Sequence, residues 1–235
     1  VLNGDDPNVL RMRGQTRARS ITFGMGEAND IRASDIIHDW PTGTRLTLHA
    51  GGQMHSLRIK FVGRHMVYPI LAAVAVALAE GSALDQIIPA LEALTPTPGR
   101  LQPIRLRNGA VLLRDDFKSP VDTVNVALDL LSEIPARRKI VVLGDVEEPP
   151  GSSSPIYKHI GERIGAIASR AVFICGKRSF QSYMQGARTG GLRGSELIHA
   201  GRRISKAVEL LRDDLESGDV VLIKGRGSQR LDRVA

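Results

Sequence analysis

The residues best suited to chemistry lie directly after short apolar runs in the second half of the chain. Asp115 and Asp116 end one such run, and Lys118, Ser119 and Pro120 follow. Ser119 suits an N-cap and Pro120 the first helical position, so we predict a helix N-terminus here, which with Lys118 favours an anion. The paired carboxylates suit ribose hydroxyls or a metal-bridged phosphate. The alternative is that both aspartates cap the turn while Lys118 is solvated.

Two further run ends carry charged residues. Residues 144–148 place three acids after a glycine, which suits a metal or an amine and equally suits a plain exposed loop. Lys224 and Arg226 stand at the last run end among glycines that allow close backbone approach, so both could face an anion. The sequence Gly-x-x-x-x-Gly-Lys-Ser/Thr does not occur in these 235 residues, which excludes a P-loop within them.

Histidines and the single cysteine are weaker candidates. His49 and His55 flank a predicted hairpin turn without a Cys or acidic partner at metal-ligand spacing, so no metal site is predicted there. His65 precedes an apolar helix and is the one histidine in a suggestive context, although a packed histidine is the commoner case. Cys175 ends an apolar run and is predicted to be a core residue rather than a nucleophile.

The composition excludes several classes of protein. The chain has a formal net charge of +7, with 42% hydrophobic and 24% charged residues, as in an ordinary globular protein. One cysteine excludes an internal disulfide, which fits a reducing, cytoplasmic compartment. The longest apolar run is too short to span a bilayer. Aromatic residues are only 4%, so the stacking surfaces of a single-strand nucleic-acid binder are scarce. The positive charge favours a solvated basic surface; the alternative is that some cations bind phosphorylated small molecules, and neither nucleic acid nor a membrane is expected as a partner.

The second half of the chain alternates predicted strands and helices. Continuous apolar runs predict strands buried on both faces, at residues 110–115, 140–144, 171–176 and 220–225. Apolar residues at helical spacing predict the intervening helices, at residues 121–131, 156–167 and 204–215. This pattern predicts a Rossmann-like α/β domain with a mainly parallel sheet. The glycine-rich residues 186–194 are predicted to form a loop.

The first half begins with short strands. Residues 1–7 are interpreted as the end of a strand entering a turn, so we expect the chain to be the later portion of a longer protein. Alternating polar and apolar residues predict strands at 45–49 and 56–62. The intervening residues 50–53 contain two glycines and predict the turn of a hairpin.

Helices and a linker complete the first half. An apolar, buried helix is predicted over residues 69–80 with Gly81 as its C-terminal cap, and a second helix over 84–94. Residues 95–99, Thr-Pro-Thr-Pro-Gly, interrupt helical structure and are predicted to link two domains.

The order of short motifs along the chain resembles the Mur ligase superfamily. Each motif is weak alone, but six occur in the family's order with a linker in the right place: Asn3-Gly4-Asp5-Asp6-Pro7, Val62-Gly63-Arg64-His65 with Leu71-Ala72-Ala73, Pro98-Gly99-Arg100, Asp115-Asp116, Val142-Leu143-Gly144-Asp145 and Ile223-Lys224-Gly225. The resemblance implies that residues 1–98 are the C-terminal part of a central ATPase domain and residues 99–235 a C-terminal Rossmann-like domain.

The resemblance also implies an activity. Mur ligases use ATP and Mg²⁺ to phosphorylate a carboxylate of a UDP-muramoyl-peptide type, and the amine of an amino acid or peptide then forms an amide. The P-loop and most Mg²⁺ ligands would belong to an upstream part of the same ATPase domain. The portion encoded here is therefore expected not to hydrolyse ATP alone.

Site residues follow from the same motifs, position by position. Arg100 matches the family arginine that reaches the ATP phosphates, and Asp115 or Asp116 matches the aspartate near the ribose. Lys224 lies in the family's Lys-Gly segment close to the amino-acid substrate, and His65 matches the histidine of Gly-x-His-Asn. With Lys118 at the neighbouring loop, these residues are the predicted catalytic and nucleotide-binding set.

The sequence departs from the family pattern at the adenine side. The motif Gly-x-His-Asn-x-x-Asn has Met66 and Pro69 in place of its two asparagines, and neither side chain can make the hydrogen bonds that identify adenine. Tyr157 replaces a usual histidine. These departures keep a second hypothesis open, a non-catalytic nucleotide- or ligand-binding module with a Mur fold.

Overall fold

The structure, a computed structural model, describes residues 1–147, 149, 153–212 and 214–234. They form two units, Val1–Pro96 and Thr97–Ala235. The sequence predicted the division after residue 98, two residues later in the chain.

The first unit is built on a five-stranded sheet. Its strands lie in the order β1-β2-β3-β4-β5, with β1, β2 and β3 parallel and β3, β4 and β5 antiparallel. The strands are β1 Leu2–Asn3, β2 Thr22–Gly24, β3 Ile31–Asp39, β4 Gly43–Ala50 and β5 Gln53–Ile59. The helices are α1 Pro7–Leu10, α2 Val67–Ala79 and α3 Leu84–Ala93, with 3₁₀ turns at Arg11–Gln15 and Arg64–Met66.

Local sequence explains most of this unit. The predicted hairpin is confirmed, since β4 and β5 pair antiparallel. Its two-residue turn requires positive φ at both positions, which Gly51 and Gly52 adopt (58° and 76°). Gly81 is confirmed as the cap of α2: its φ is 87°, and the N–H of Ser82 reaches back to the carbonyl of Ala77 at 2.9 Å. The helix is buried on one side only, since Val76 is 50% exposed.

The second unit is built on a six-stranded sheet in the order β10-β9-β8-β11-β7-β6. All neighbours are parallel except β6 and β7, which confirms the mainly parallel Rossmann-like prediction. The strands are β6 Gln102–Arg105, β7 Val111–Asp115, β8 Lys139–Leu143, β9 Arg170–Phe173, β10 Leu197–His199 and β11 Val220–Lys224. The helices are α4 Val121–Glu133, α5 Ser153–Ile167, α6 Lys177–Thr189 and α7 Ile204–Arg212, with 3₁₀ turns at Gly194–Glu196, Gly227–Gln229 and Leu231–Val234.

The topology brings the predicted site residues to one edge of this sheet. The chain runs outward from β7 through β8 and β9 to β10 and then returns, so β11 lies between β7 and β8. Right-handed crossovers therefore place α7 on the face opposite α4, α5 and α6. In register, Lys224 at the end of β11 lies beside Asp115 on one side and Leu143 on the other. Ligands in such sheets bind beyond these carboxyl ends.

Two predictions for this unit were wrong. Ser119 is not the N-cap of α4: Pro120 takes that position and the helix begins at Val121. Ser119 is bound to Glu147 instead: its N–H donates to Glu147 Oε2 and its carbonyl accepts the N–H of Glu147. The extended backbone is that of Pro120, with φ −60° and ψ 155°. The predicted loop at 186–194 begins as helix, since α6 continues to Thr189.

Two glycines of that region, Gly186 and Gly190, are explained by helix packing. A Cβ on Gly186 would overlap the carbonyl oxygen of Lys158, and one on Gly161 would overlap the carbonyl oxygen of Tyr183. Glycine is therefore needed where α5 and α6 touch backbone to backbone. The helix predicted over 204–215 corresponds to α7, and its last predicted residues, Asp214 and Leu215, are not helical.

Candidate functional site

Lys224 is a buried lysine at the carboxyl end of β11. Its side chain is 1% exposed, and its ammonium lies 2.8 Å from Oδ2 of Asp115. The same group donates to the carbonyl oxygen of Lys118 at 2.6 Å and to Oγ1 of Thr123 at 3.0 Å. Three partners match the three N–H donors of an ammonium. Lys224 therefore joins β11 to the end of β7 and the start of α4, and its predicted contact with an amine substrate stays a prediction.

Asp115 completes this buried contact from β7. Its Oδ1 accepts the N–H of Leu101 at 3.3 Å, while Oδ2 faces Lys224. Burial raises the pKa of Asp115 and lowers the pKa of Lys224, and the attraction between the two charges opposes both shifts. Both oxygens of this carboxylate have partners inside the unit.

Asp116 also points into the protein. Its side chain is 4% exposed, and both carboxylate oxygens accept hydrogen bonds from Nη2 of Arg114, Oδ2 at 3.0 Å and Oδ1 at 3.3 Å. Gly99 lies against it with φ 72°, and a Cβ at Gly99 would overlap Oδ1 of Asp116. For these aspartates the contacts favour holding the turn over binding ribose hydroxyls or a metal-bridged phosphate.

Arg100 lies on the surface at this edge. Its guanidinium carbon lies 4.6 Å from the centroid of the Phe117 ring, a cation–π contact. The N–H of Phe117 donates to the carbonyl of Gly99 at 3.2 Å, and the carbonyl of Phe117 accepts the N–H of Gly227 at 3.0 Å. The structure thus brings Arg100 together with the segment that contains Asp115 and Phe117, a proximity that the sequence did not predict.

Lys118 is the second exposed cation of this edge. Its side chain is 55% exposed, and its ammonium lies 3.5 Å from Oε1 of Glu147. Glu147 lies in the acidic loop after β8, and its contacts connect that loop to the segment between β7 and α4. Glu148, the third acid of that loop, lies outside the described residues.

A cleft of about 250 Å³ lies further along the same edge. It is lined by residues that follow β8, β9, β10 and β11: Asp145, Ile174, Arg202, Arg226, Ser228 and Gln229. Gln229 fixes its wall, because its side chain accepts the N–H of Asp145 at 2.9 Å and donates to the carbonyl of Ile174 at 3.1 Å. Arg226 lies 3.7 Å from Oδ2 of Asp145. Sequence reasoning had singled out Arg226 and Asp145 but missed Arg202 and Gln229, which stand in turns without a motif.

His65 lies in the first unit, in the turn before α2. It is half-buried, and burial together with nearby His38 lowers its pKa. Met66 is half-buried beside it, whereas Pro69 is exposed in the first turn of α2. His65 thus belongs to a different unit from the other predicted residues, and its role toward a nucleotide stays a prediction.

Asp5 is a residue of the first unit that sequence reasoning quoted without assigning a role. Its carboxylate accepts the N–H groups of Met25 at 2.6 Å and Gly26 at 3.1 Å, Nδ2 of Asn29 at 2.8 Å and the hydroxyl of Tyr68 at 3.0 Å. Burial alone would raise the pKa of Asp5, but these hydrogen bonds outweigh it and lower the pKa. The Asp-Asp pair directly after β1 was the available signal.

Cys175 is confirmed as a core residue. It is fully buried after β9, and burial raises the pKa of its thiol to about 12, so the reactive thiolate is disfavoured. Within the described ranges, three or more His, Cys, Asp or Glu side chains do not come together as a metal site. In the same ranges no helix is both long and apolar enough to cross a membrane.

Comparison with known proteins identifies both units. The family model described as "Mur ligase middle domain" matches residues 1–77, and the one described as "Mur ligase, glutamate ligase domain" matches residues 99–227. The UDP-N-acetylmuramoyl-tripeptide--D-alanyl-D-alanine ligase of Mycobacterium tuberculosis is 31% identical, over 100% of this chain and 49% of the relative. The Escherichia coli enzyme of that name is 30% identical, over 76% of this chain and 40% of the relative.

Solved structures show the same fold. Crystal structure II of MurF from Acinetobacter baumannii superposes with a TM-score of 0.82 at 21% identity, covering 99% of this chain and 50% of that one. MurF ligase from Thermotoga maritima in complex with ADP gives 0.78 at 20% identity, covering 99% and 51%. The chain spans about half the length of the curated relatives it matches. With one family model covering more than half of its residues, the chain belongs to the Mur ligase family.

Proposed function

We propose that this chain is part of an ATP-dependent ligase that joins a carboxylate to an amine. The γ-phosphoryl group of ATP passes to a carboxylate oxygen and ADP leaves. The amine nitrogen then attacks the acyl carbon, inorganic phosphate departs with the former carboxylate oxygen, and the nitrogen loses a proton. The products are an amide, ADP and phosphate. The relatives named as D-alanyl-D-alanine ligases support an acid of the UDP-muramoyl-peptide type and an amino acid or peptide as the amine.

We assign residues 1–98 to the last part of a central ATPase domain and residues 99–235 to a C-terminal domain. The matched family models support this assignment. An upstream part of the same protein would supply the P-loop, so the 235 residues alone are expected to be inactive.

The observation that carries the proposal is the exposed, supported guanidinium of Arg100. A guanidinium fork matches phosphate oxygens, and the ring of Phe117 restrains it before any ligand arrives. Lys118 adds a second exposed positive charge on the same segment. These two residues suit the phosphates of ATP, which supplies the phosphoryl group that activates the carboxylate.

The two aspartates of this edge have partners within the protein. Asp115 contacts Lys224 and Asp116 contacts Arg114, which supports a structural role for both, and their predicted contact with the ribose stays a prediction. Among the residues that the structure describes, no group of three His, Cys, Asp or Glu side chains forms a Mg²⁺ ligand set, so the ligands of this ion are expected in the upstream part of the ATPase domain.

The cleft beyond β8 and β11 suits the amine substrate. Arg202 and Arg226 carry the charge that a carboxylate requires, while Asp145 carries the charge that an ammonium requires. A volume of about 250 Å³ suits a small zwitterion such as an amino acid. The ammonium must first lose a proton to water, because only the neutral amine has the lone pair that attacks the acyl carbon. Holding the substrate by both ends would lower the entropic cost of that attack.

The test measures ADP release by the full-length gene product. The assay contains ATP, Mg²⁺, UDP-muramoyl-tripeptide and D-alanyl-D-alanine, and mass spectrometry identifies the amide. We expect Arg100→Ala to lower turnover by about 100-fold, the size of effect found when one preorganised charge contact to a transition state is removed. Arg107→Ala is the matched control, because Arg107 is also exposed but lies at the other edge of the sheet, before β7.

Two outcomes would contradict the proposal. Wild-type turnover in Arg100→Ala would remove Arg100 from the reaction. ATP binding without any amine-dependent ADP release, across a panel of acids and amines, would favour the non-catalytic binding module, for which Met66 and Pro69 at the adenine-side positions are the supporting observation.

A further inference from the structure

A series of buried contacts at the carboxyl edge of the second unit ends at Arg100. We propose that Asp115 is a positioning residue: Lys224 holds one of its carboxylate oxygens, and the other holds the Leu101 N–H, which fixes the backbone from which Arg100 projects. The inference rests on the function proposed for Arg100, but its first test needs no enzymatic activity.

Leu101 needs such a partner because of its backbone conformation. Its φ is 44°, in the left-handed region that residues with a Cβ adopt infrequently, and its side chain is only 7% exposed. The N–H of Leu101 donates to Asp115 Oδ1 at 3.3 Å. A buried carboxylate is a strong acceptor, so this contact offsets the conformational strain and keeps Leu101 in place.

The residue before Arg100 is anchored to the same segment. Gly99 has φ 72°, and its carbonyl accepts the N–H of Phe117 at 3.2 Å. Arg100 is therefore flanked by two residues that are both bound to residues 115–117. Its guanidinium lies over Phe117, so backbone and side chain are restrained by one segment.

Lys224 makes that segment rigid. Its ammonium binds Asp115 and also the carbonyl of Lys118 and the hydroxyl of Thr123, so it contacts the segment on both sides of Phe117. Because Lys224 is 1% exposed, water does not compete for these contacts. The orientation of Arg100 is thus set by a residue pair that has no free donor for a ligand.

The first test is hydrogen exchange at the Leu101 amide in the full-length protein. The variant is Asp115→Ala with Lys224→Met, which removes both charges together and avoids leaving one buried and unpaired. We expect exchange at Leu101 to accelerate by about tenfold or more relative to the amides of β7, because its acceptor is gone.

A matched double variant controls for general loss of stability. Asp219→Ala with Arg138→Met removes another ion pair of the same unit, in which Arg138 donates to Asp219 at 2.5 and 3.0 Å, but at the amino end of β11. We expect Leu101 to keep its protection in this variant. Equal acceleration at Leu101 in both double variants would reduce Asp115 to an ordinary stabilising residue and overturn the proposal.

The second test is a kinetic cycle with Arg100→Ala. If Asp115 acts only through Arg100, adding Asp115→Asn to Arg100→Ala lowers turnover no further, whereas Asp115→Asn alone raises KM for ATP or lowers kcat. Lys224 is left unchanged in this cycle, because its own contact with the amine substrate is a prediction. Additive losses would contradict the inference. A full-length protein without ligase activity would refute the proposed function yet leave the exchange result to decide the positioning of Leu101.

A single variant serves if the double variant does not fold. Asp115→Asn leaves one side-chain oxygen where the carboxylate offered two. Lys224 and Leu101 then compete for it, and the charged ammonium is the stronger donor, so exchange at Leu101 is expected to accelerate. Unchanged protection of Leu101 in a folded Asp115→Asn protein would overturn the proposal.

Discussion

The two ends of β11 carry ion pairs that are built differently. At the carboxyl end, Lys224 and Asp115 are both buried, and every N–H of the ammonium is used. At the amino end, Asp219 is fully buried, but its main partners Arg138 and Arg137 are 25% and 49% exposed. The pair of Lys224 and Asp115 is therefore closed to solvent, whereas the buried Asp219 is bound by arginines that extend to the surface.

This difference separates two uses of charge in one sheet. The acid at the amino end also accepts the N–H of Glu216 at 2.8 Å, so it retains partners if one arginine is lost. The buried pair at the carboxyl end depends on a single lysine, and it supports the turn that carries Arg100. The contacts of Asp219 can replace one another because their role is to stabilise the fold. The contacts of Asp115 and Lys224 cannot, because they hold one backbone conformation at Leu101.

The largest expected effect is that of Lys224→Met. The change leaves Asp115 buried without its cation, so we expect the free energy of unfolding of the second unit to fall by about 3–5 kcal/mol. Urea denaturation followed by circular dichroism measures it.

Lys206→Met is the control for this change. Lys206 also donates to a backbone carbonyl, that of His199 at 3.0 Å, but from a partly exposed position. We expect it to cost about 1 kcal/mol or less. Equal losses of unfolding free energy in the two methionine variants would mean that the buried pair stabilises the unit no more than a partly exposed lysine does.

A smaller effect, with a distinct pH dependence, is expected for Asp219→Asn. Burial alone would raise the pKa of Asp219, but hydrogen bonds from Arg138 and from the N–H of Glu216 lower it below its ordinary value of 3.8. A lowered pKa in the folded state gives stability that is present above the unfolded pKa of about 3.9 and is lost as the pH falls through the folded pKa. At pH 7 the variant should be less stable by about 2 kcal/mol.

The pH series tests the cause of that loss. The difference between wild type and Asp219→Asn should be constant from pH 7 to about 5 and shrink below about pH 4, because the unfolded wild-type chain then binds a proton at Asp219. It should disappear only below the lowered folded-state pKa, where the native carboxyl is protonated as well. Asp232→Asn removes the exposed pair with Arg230 and should change stability little at any pH. A difference that stays constant down to pH 3 would contradict the assigned charge of Asp219.

Much of the fold could be predicted because it depends on local patterns. Continuous apolar runs identified β7, β8, β9 and β11, which lie inside the sheet with neighbours on both sides. Short strands such as β10 escaped, since three residues carry little pattern. The helix α6 also escaped, because Gly186 lowers helix propensity and its benefit, close contact with α5, exists only in three dimensions.

The site could be predicted only in part for a related reason. The predicted strand ends indicated that Asp115 and Lys224 share one edge, and the register places them side by side. The motif that contains Arg100 implied a role for this residue but no position in the fold. The number of partners of an ammonium is not visible in a sequence, however. That Lys224 also reaches Lys118 and Thr123 follows from the turn between β7 and α4, whose first residues sequence reasoning had misassigned.

The smallest expected effect concerns the exposed contact beneath Arg100. Phe117→Leu keeps apolar bulk but removes the aromatic face under the guanidinium, and Phe117 is already 49% exposed. Cation–π contacts at exposed sites contribute about 0.5–1 kcal/mol, so urea denaturation should detect a loss no larger than this. A loss of unfolding free energy as large as that of Lys224→Met would show that the exposed contact stabilises the unit as much as the buried pair does. That result would contradict the proposed difference between the buried pair and the exposed Arg100. A small loss, together with faster modification of Arg100 by phenylglyoxal, would instead show that Phe117 restrains the guanidinium without stabilising the fold.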